Sequence, residues 1–215
     1  MPRFPVLPAL CAIVIIAACG GGPPKSAPEP AEHSLSGLAA QHIAVLPTYL
    51  VRIMPGLDWG SSIGRPSELR QILDADILAA LDDRGVRKNW IFPAELQQSY
   101  KRNTSYAADP YGLAEEPLRS PSLALEARLA EPLASQIRTL VALQSDTRLV
   151  LAPVELRLEK AGVSGGRGVL RLVLMDARLS NVRWIGEISS DTVATFGPAI
   201  TASIASKLAN VVGTP

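Results

Sequence analysis

The feature that most limits the fold of this sequence is a stretch of three apolar runs separated only by turns. Residues 147–159, 168–177 and 182–190 are rich in Leu, Val and Ile, and they are too short and too closely spaced to be independent helices. They read as an antiparallel β-meander.

The three runs differ in pattern, and the differences assign them places. In the first, Leu149 and Leu151 share one parity while Val154, Leu156 and Leu158 share the other. A strand alternates faces with a period of two, so this phase change predicts a bulge near Pro153. The second run is apolar at nearly every position from Val169 to Met175 except Arg171, as in a strand covered on both faces. In the third, Val182, Trp184 and Ile188 alternate with Arg183, Glu187 and Ser189, which predicts one wetter face and a place near an edge. Between the first two runs, Gly162-Val163-Ser164-Gly165-Gly166-Arg167-Gly168 joins strands rather than opening a helix, so it reads as a flexible hairpin turn and not a phosphate loop.

Upstream, His42-Ile43-Ala44-Val45-Leu46-Pro47 is a short β-branched run closed by proline, expected as a central strand. Residues 48–65 are broken by Pro55-Gly56 and Trp59-Gly60 and read as irregular. Ser67 then stands where it could cap a helix over 67–84, whose apolar stripe is Leu69, Ile72, Leu73, Ile77, Ala80 and Leu81 and whose C-cap is Gly85. A second strand is expected over 86–92, then a helix opened by Pro93. Residues 102–121 are polar and proline-punctuated, a surface excursion without regular structure. Leu129, Leu133, Ile137, Leu140 and Val141 mark another helix, with Pro132 opening or kinking it, and Phe196, Ile200, Ile204, Leu208 and Val211 mark a last one. The expected fold is α/β, one mixed sheet of about five strands with helices packed on it, in the order β-α-β-α-α-β-β-β-α.

The amino terminus has a different character. Arg3 precedes an apolar stretch from Leu7 to Ile16 that is shorter than the roughly 20 residues a membrane-spanning helix needs. It ends in Ile16-Ala17-Ala18-Cys19, which resembles the lipobox of bacterial lipoproteins. That resemblance implies a signal peptide over 1–18, cleavage before Cys19, lipid on its sulfur and, with Gly20 rather than aspartate following, sorting to the outer membrane facing the periplasm. Residues 19–41, rich in Gly and Pro at their start, then form a flexible tether, and 42–215 form a single periplasmic domain.

Composition narrows the function. The formal net charge is +1, so no broad electrostatic field draws nucleic acid. Of the two cysteines, Cys11 falls in the signal peptide and Cys19 takes the lipid, so the domain has no thiol for disulfides or nucleophilic catalysis. Neither His33 nor His42 stands in a nucleophile-base pattern, and no zinc or calcium ligand spacing occurs. No catalytic residue, metal or cofactor is assigned. The acidic pairs Asp74 and Asp76, Asp82 and Asp83, and Glu115 and Glu116 read as solvated surface. Trp59, Tyr106 and Tyr111, in expected loops, are the candidate partner contacts, with lids over the core as their other reading.

The order of elements, the proline-ended opening strand, and Leu172-Val173-Leu174-Met175-Asp176-Ala177 returning through Val182-Arg183-Trp184 resemble CsgG-like and TolB amino-terminal-like periplasmic domains, including lipoprotein activators of penicillin-binding proteins. The resemblance implies a non-enzymatic interaction or assembly module serving secretion or wall synthesis, held to the membrane by its lipid and meeting an envelope protein or its own copies. Pore formation is not expected, since no pair of long alternating hairpin segments stands in the loops. The other function class is a lipid-anchored enzyme or small-ligand binder that uses the 48–65 and 102–121 loops.

Overall fold

The computed structural model describes residues 35–59, 62–163 and 165–213. Six strands, β1 (Ile43–Val45), β2 (Leu50–Ile53), β3 (Trp90–Ile91), β4 (Leu149–Ala161), β5 (Gly165–Asp176) and β6 (Asn181–Ser189), form one mixed sheet in the order β3-β1-β4-β5-β6, with β2 also paired to β4. Four α-helices, α1 (Pro66–Asp82), α2 (Pro93–Arg102), α3 (Leu133–Ala142) and α4 (Ala199–Gly213), complete the α/β fold. Strand β1 is interior and parallel to its neighbours, β5 lies inside the antiparallel meander, and β6 ends the sheet, as their patterns predict.

The bulge falls where the parity changes. The β4–β5 register shifts between Pro153 and Glu155, so Leu151 before it and Leu156 and Leu158 after it all join the core beneath α1 and α4. Val150, Ala152 and Val154 join the core on the other face. The long β4 serves two partners on one side. It pairs with β1 over Leu149 to Leu151 and with β2 over Glu155 to Leu158, both in parallel. Between them the chain keeps contact, because Leu46 N–H donates to Leu151 O and Tyr49 N–H to Pro153 O.

Several expectations need correction. Strand β2 lies inside the segment read as irregular; its four residues are bracketed by breakers that hide the pattern. Helix α1 begins at Pro66 rather than after a Ser67 cap, because proline's fixed φ and missing N–H suit the first helical position, and Arg65 is the N-cap. Residues 86–88 form a tight 3-10 turn, which leaves β3 only Trp90 and Ile91. Leu129 precedes α3, which Pro132 opens. The glycine-rich turn is shorter than expected, since β5 already begins at Gly165. Gly166 and Gly168 are strand positions of close approach: a Cβ would lie 2.6 Å from the Trp59 ring at the first and 2.7 Å from Ile200 at the second.

The folded body also starts earlier than the expected tether boundary at 41. Leu35 and Leu38 are buried in the core, and the carbonyls of Leu38 and Ala39 accept from Trp90 Nε1 and Asn89 Nδ2. No described helix is long and apolar enough to cross a membrane.

Candidate functional site

Cys19, the expected signal peptide and the expected tether up to residue 34 lie outside the described residues. The three aromatic candidates separate. Trp59 is only 5% exposed, donates through Nε1 to Ala194 O, and packs on Phe196 with ring centroids 6.0 Å apart. It is a lid over the core and not a partner contact. Tyr106 and Tyr111 are 60% and 57% exposed.

The backbone that carries these tyrosines is built in, although 102–121 has little regular structure. Leu113 and Leu118 are buried against the face opposite α1 and α4, together with residues of α2 and α3. Asp109 fixes a turn by accepting Tyr111 N–H on its side chain and Gly112 N–H on its carbonyl. Gln136 on α3 accepts Ala114 N–H. Arg171, the lone charge between Val169 and Met175 of β5, reaches up from the sheet and donates from Nη2 to Ser120 O at 3.1 Å and from Nε to Leu118 O at 3.3 Å. Arg119 reaches down to Glu155 at 3.2 Å, and Arg52 meets the same carboxylate oxygen at 3.1 Å. The buried Glu155 therefore ties β2, β4 and the excursion together, its charge balanced by these two guanidinium groups and, at 4.0 Å, by that of Arg157.

Beneath the excursion two carboxyl groups from distant segments come within electrostatic reach of each other. Asp74 turns inward from α1 and accepts Thr48 Oγ1–H at 2.6 Å and Thr48 N–H at 2.9 Å. Burial raises its pKa against these hydrogen bonds and the nearby Arg70 charge. Glu115 is 2% exposed, and its Oε2 has no hydrogen-bond partner among the described residues. Burial, reinforced by the Asp74 charge, pushes its pKa up to about 8. The surface reading of these two acids is therefore overturned. Asp74 flanks a helix stripe from which Ile72 turns out, and Glu115 sits beside the exposed Glu116. Chemically, Glu115 is a carboxylic acid kept neutral at pH 7, able to hold or release a proton but closed off from solvent. Tyr111, above, has its own pKa raised by burial and by Asp74 and Asp109.

A separate cleft of about 670 Å³ opens at the other end of β1. Its walls include His42, Asp146, Arg148, Asp176, Arg183 and Trp184. Three of its charges are engaged in the fold. Asp176 accepts Arg148 Nε–H at 2.6 Å and the N–H groups of Arg178 and Leu179, which hold its pKa down despite burial, and Arg183 pairs with Glu126 at 2.9 Å. Among the described residues no group of three or more His, Asp or Glu side chains is arranged to hold a metal ion. Neither the clasp through Arg171 nor the acid pair was identified from the sequence. The one signal was a single charge inside an apolar strand.

No family model matches this chain, and no curated protein matches it. Among solved structures it is similar to the PelC dodecamer from Paraburkholderia phytofirmans, at 13% identity and a TM-score of 0.34, over 80% of this chain and 90% of that one. At that TM-score the likeness carries no argument.

Proposed function

We propose that this chain is a lipid-anchored protein of the bacterial envelope, tethered through Cys19 at the outer membrane, whose α/β body is a non-enzymatic docking or assembly module accessory to secretion or wall synthesis. Its partner is an envelope protein or a further copy of itself. The observation that carries the reading is the exposure of Tyr106 and Tyr111 on a segment clamped by Arg171 and the Arg119–Glu155 pair. Aromatic rings on an ordered backbone offer large contact area at low entropic cost, which is what a recognition surface requires.

Two measurements test it. Radioactive palmitate should label the native chain and leave Cys19→Ser unlabelled; equal labelling of both would remove the anchor. A photo-reactive phenylalanine at 106 or 111 should cross-link in intact envelopes, where one at the exposed Leu179 should not. Equal cross-linking at all three positions would remove the docking surface.

A second reading, a small-ligand binder, is supported by the cleft of about 670 Å³ rather than by the 48–65 and 102–121 loops, since convergent polar groups over an apolar wall are the usual form of such sites. It calls for saturable quenching of Trp184 by a small polar ligand, lost in Arg148→Ala.

A further inference from the structure

Glu155 and Glu115 are both buried, and the fold treats their carboxyl groups differently. Glu155 lies among the guanidinium groups of Arg52, Arg119 and Arg157. Glu115 has no such neighbour. Its Oε2 is without a hydrogen-bond partner among the described residues, and burial and the Asp74 charge act on it with no cation offsetting them. The other charged or titratable groups around it are engaged elsewhere. Arg70 of α1 acts on Asp74 and donates to Tyr49 O at 2.8 Å, and Arg119 pairs with Glu116 and Glu155. Tyr49 is within electrostatic reach of Glu115 and holds its hydroxyl 3.4 Å from Glu116. From α3 the neutral side chain of Gln136 accepts Ala114 N–H at 2.9 Å.

An ionised carboxylate with neither donor nor water is unstable in such a place, whereas the protonated acid is tolerated. Losing the proton therefore requires water, and water requires the backbone at Glu115 to move. The chain on either side limits that movement. Before it, the Asp109 turn holds Tyr111 and Gly112. After it, the 3-10 turn Glu116–Arg119 is tied to the sheet through Arg119 and Arg171. Between these anchors, Leu113, Ala114 and Glu115 are held by the burial of Leu113 and by the hydrogen bond to Gln136. Neither contact belongs to the sheet ladder.

We infer that Leu113-Ala114-Glu115 is a proton-held strap, seated while Glu115 carries its proton and released when the proton leaves. The direction follows from linkage. The seated strap binds a proton that the released one gives up, so the released fraction rises with pH. The rise is about ten-fold per unit between the ordinary carboxyl value of 4.5 and about 8, and it levels beyond. Tyr111 is joined to the strap through Gly112, so release also shifts the ring that the docking reading assigns to a partner. That consequence rests on the docking reading, and the strap itself does not.

Amide hydrogen exchange of the full chain in detergent micelles, from pH 5 to 8, tests the strap once rates are corrected for base catalysis. The opening constant at Ala114 should exceed that of the α4 amides by at least about a hundred-fold and should rise about ten-fold per pH unit. In Glu115→Gln, which keeps the shape and cannot ionise, it should be flat. A flat profile in the native chain, an equal slope in Glu115→Gln, or opening at Ala114 no more frequent than in α4 overturns the inference. The photo-probe at 111 should lose most of its cross-linking between pH 6 and 9 in the native chain and keep it in Glu115→Gln. Cross-linking that ignores pH would overturn the link to Tyr111. A probe silent at every pH beside the expected exchange profile would sink the docking reading and leave the strap standing.

Discussion

The indole of Trp184 lies across Gly186 on the same strand, so closely that a Cβ on the glycine would stand 2.2 Å from Cζ2. A buried ring in that position depends on a neighbour two residues along that has no side chain. Gly186→Ala must push the ring off its seat against Leu174 and Ile188 or bend β6. Overpacking of this kind costs about 1–3 kcal/mol. The expected result is a lower denaturant midpoint and a red-shifted tryptophan emission, and an unchanged midpoint would mean that the ring relocates at no cost.

Glu115 makes stability depend on pH in a definite direction. Its carboxyl is protonated in the folded chain up to about pH 8 but ionises near 4.5 when unfolded. Between those values the folded state holds the extra proton, so stability falls as pH rises through the window and levels above it, by up to about 1.4 kcal/mol per pH unit. Asp74, also raised by burial, acts with the same sign. Chemical unfolding from pH 4 to 9 should show this decline in the native chain and a shallower one in Glu115→Gln, with the variant more stable at pH 9. Parallel curves would mean that Glu115 is solvated.

Where the sequence was readable, one physical rule acted alone. The bulge after Pro153 followed from the two-residue period, and the interior place of β5 followed from a run apolar on both faces. The unreadable parts depended on residues far apart in the chain. Trp59 looks like a loop aromatic until Gly166, more than a hundred residues later, provides the gap its ring fills. Glu115 and Asp74 each resemble ordinary surface acids, and only the tertiary fold buries Glu115 within electrostatic reach of Asp74. Strand β2 has four residues and gains its identity from the second half of β4.

Arg171 is the clasp of the excursion. Its guanidinium donates to the carbonyls of Leu118 and Ser120, and its Cα partners in the sheet are Glu155 and Glu187. Arg171→Leu would leave both carbonyls without that donor. A charge-assisted hydrogen bond contributes about 1.5–3 kcal/mol, so the loss should be about 2 kcal/mol. Hydrogen exchange gives the sharper check. Amides of 113–120 should exchange at least ten-fold faster than in the native chain, while those of α4 keep their rates. Uniform acceleration would show that the whole fold, and not the clasp, had weakened.

The start of the folded body can be located by truncation. Leu35 is fully buried and Leu38 nearly so, and Leu38 O is the acceptor for the buried Trp90 Nε1. A chain starting at 42 loses both side chains and leaves that indole N–H unsatisfied, whereas one starting at 35 keeps all three features. Burial of a leucine contributes about 1.5–3 kcal/mol, so the shorter form should be less stable than the longer by about 4 kcal/mol. Its Trp90 emission should shift to the red as water enters beneath the missing turn. Leu35→Ala in the longer form isolates one share, expected at about 2 kcal/mol and below the full truncation. Equal midpoints for the two truncated chains would return residues 35–41 to the tether and make the packing of Leu35 incidental to the fold.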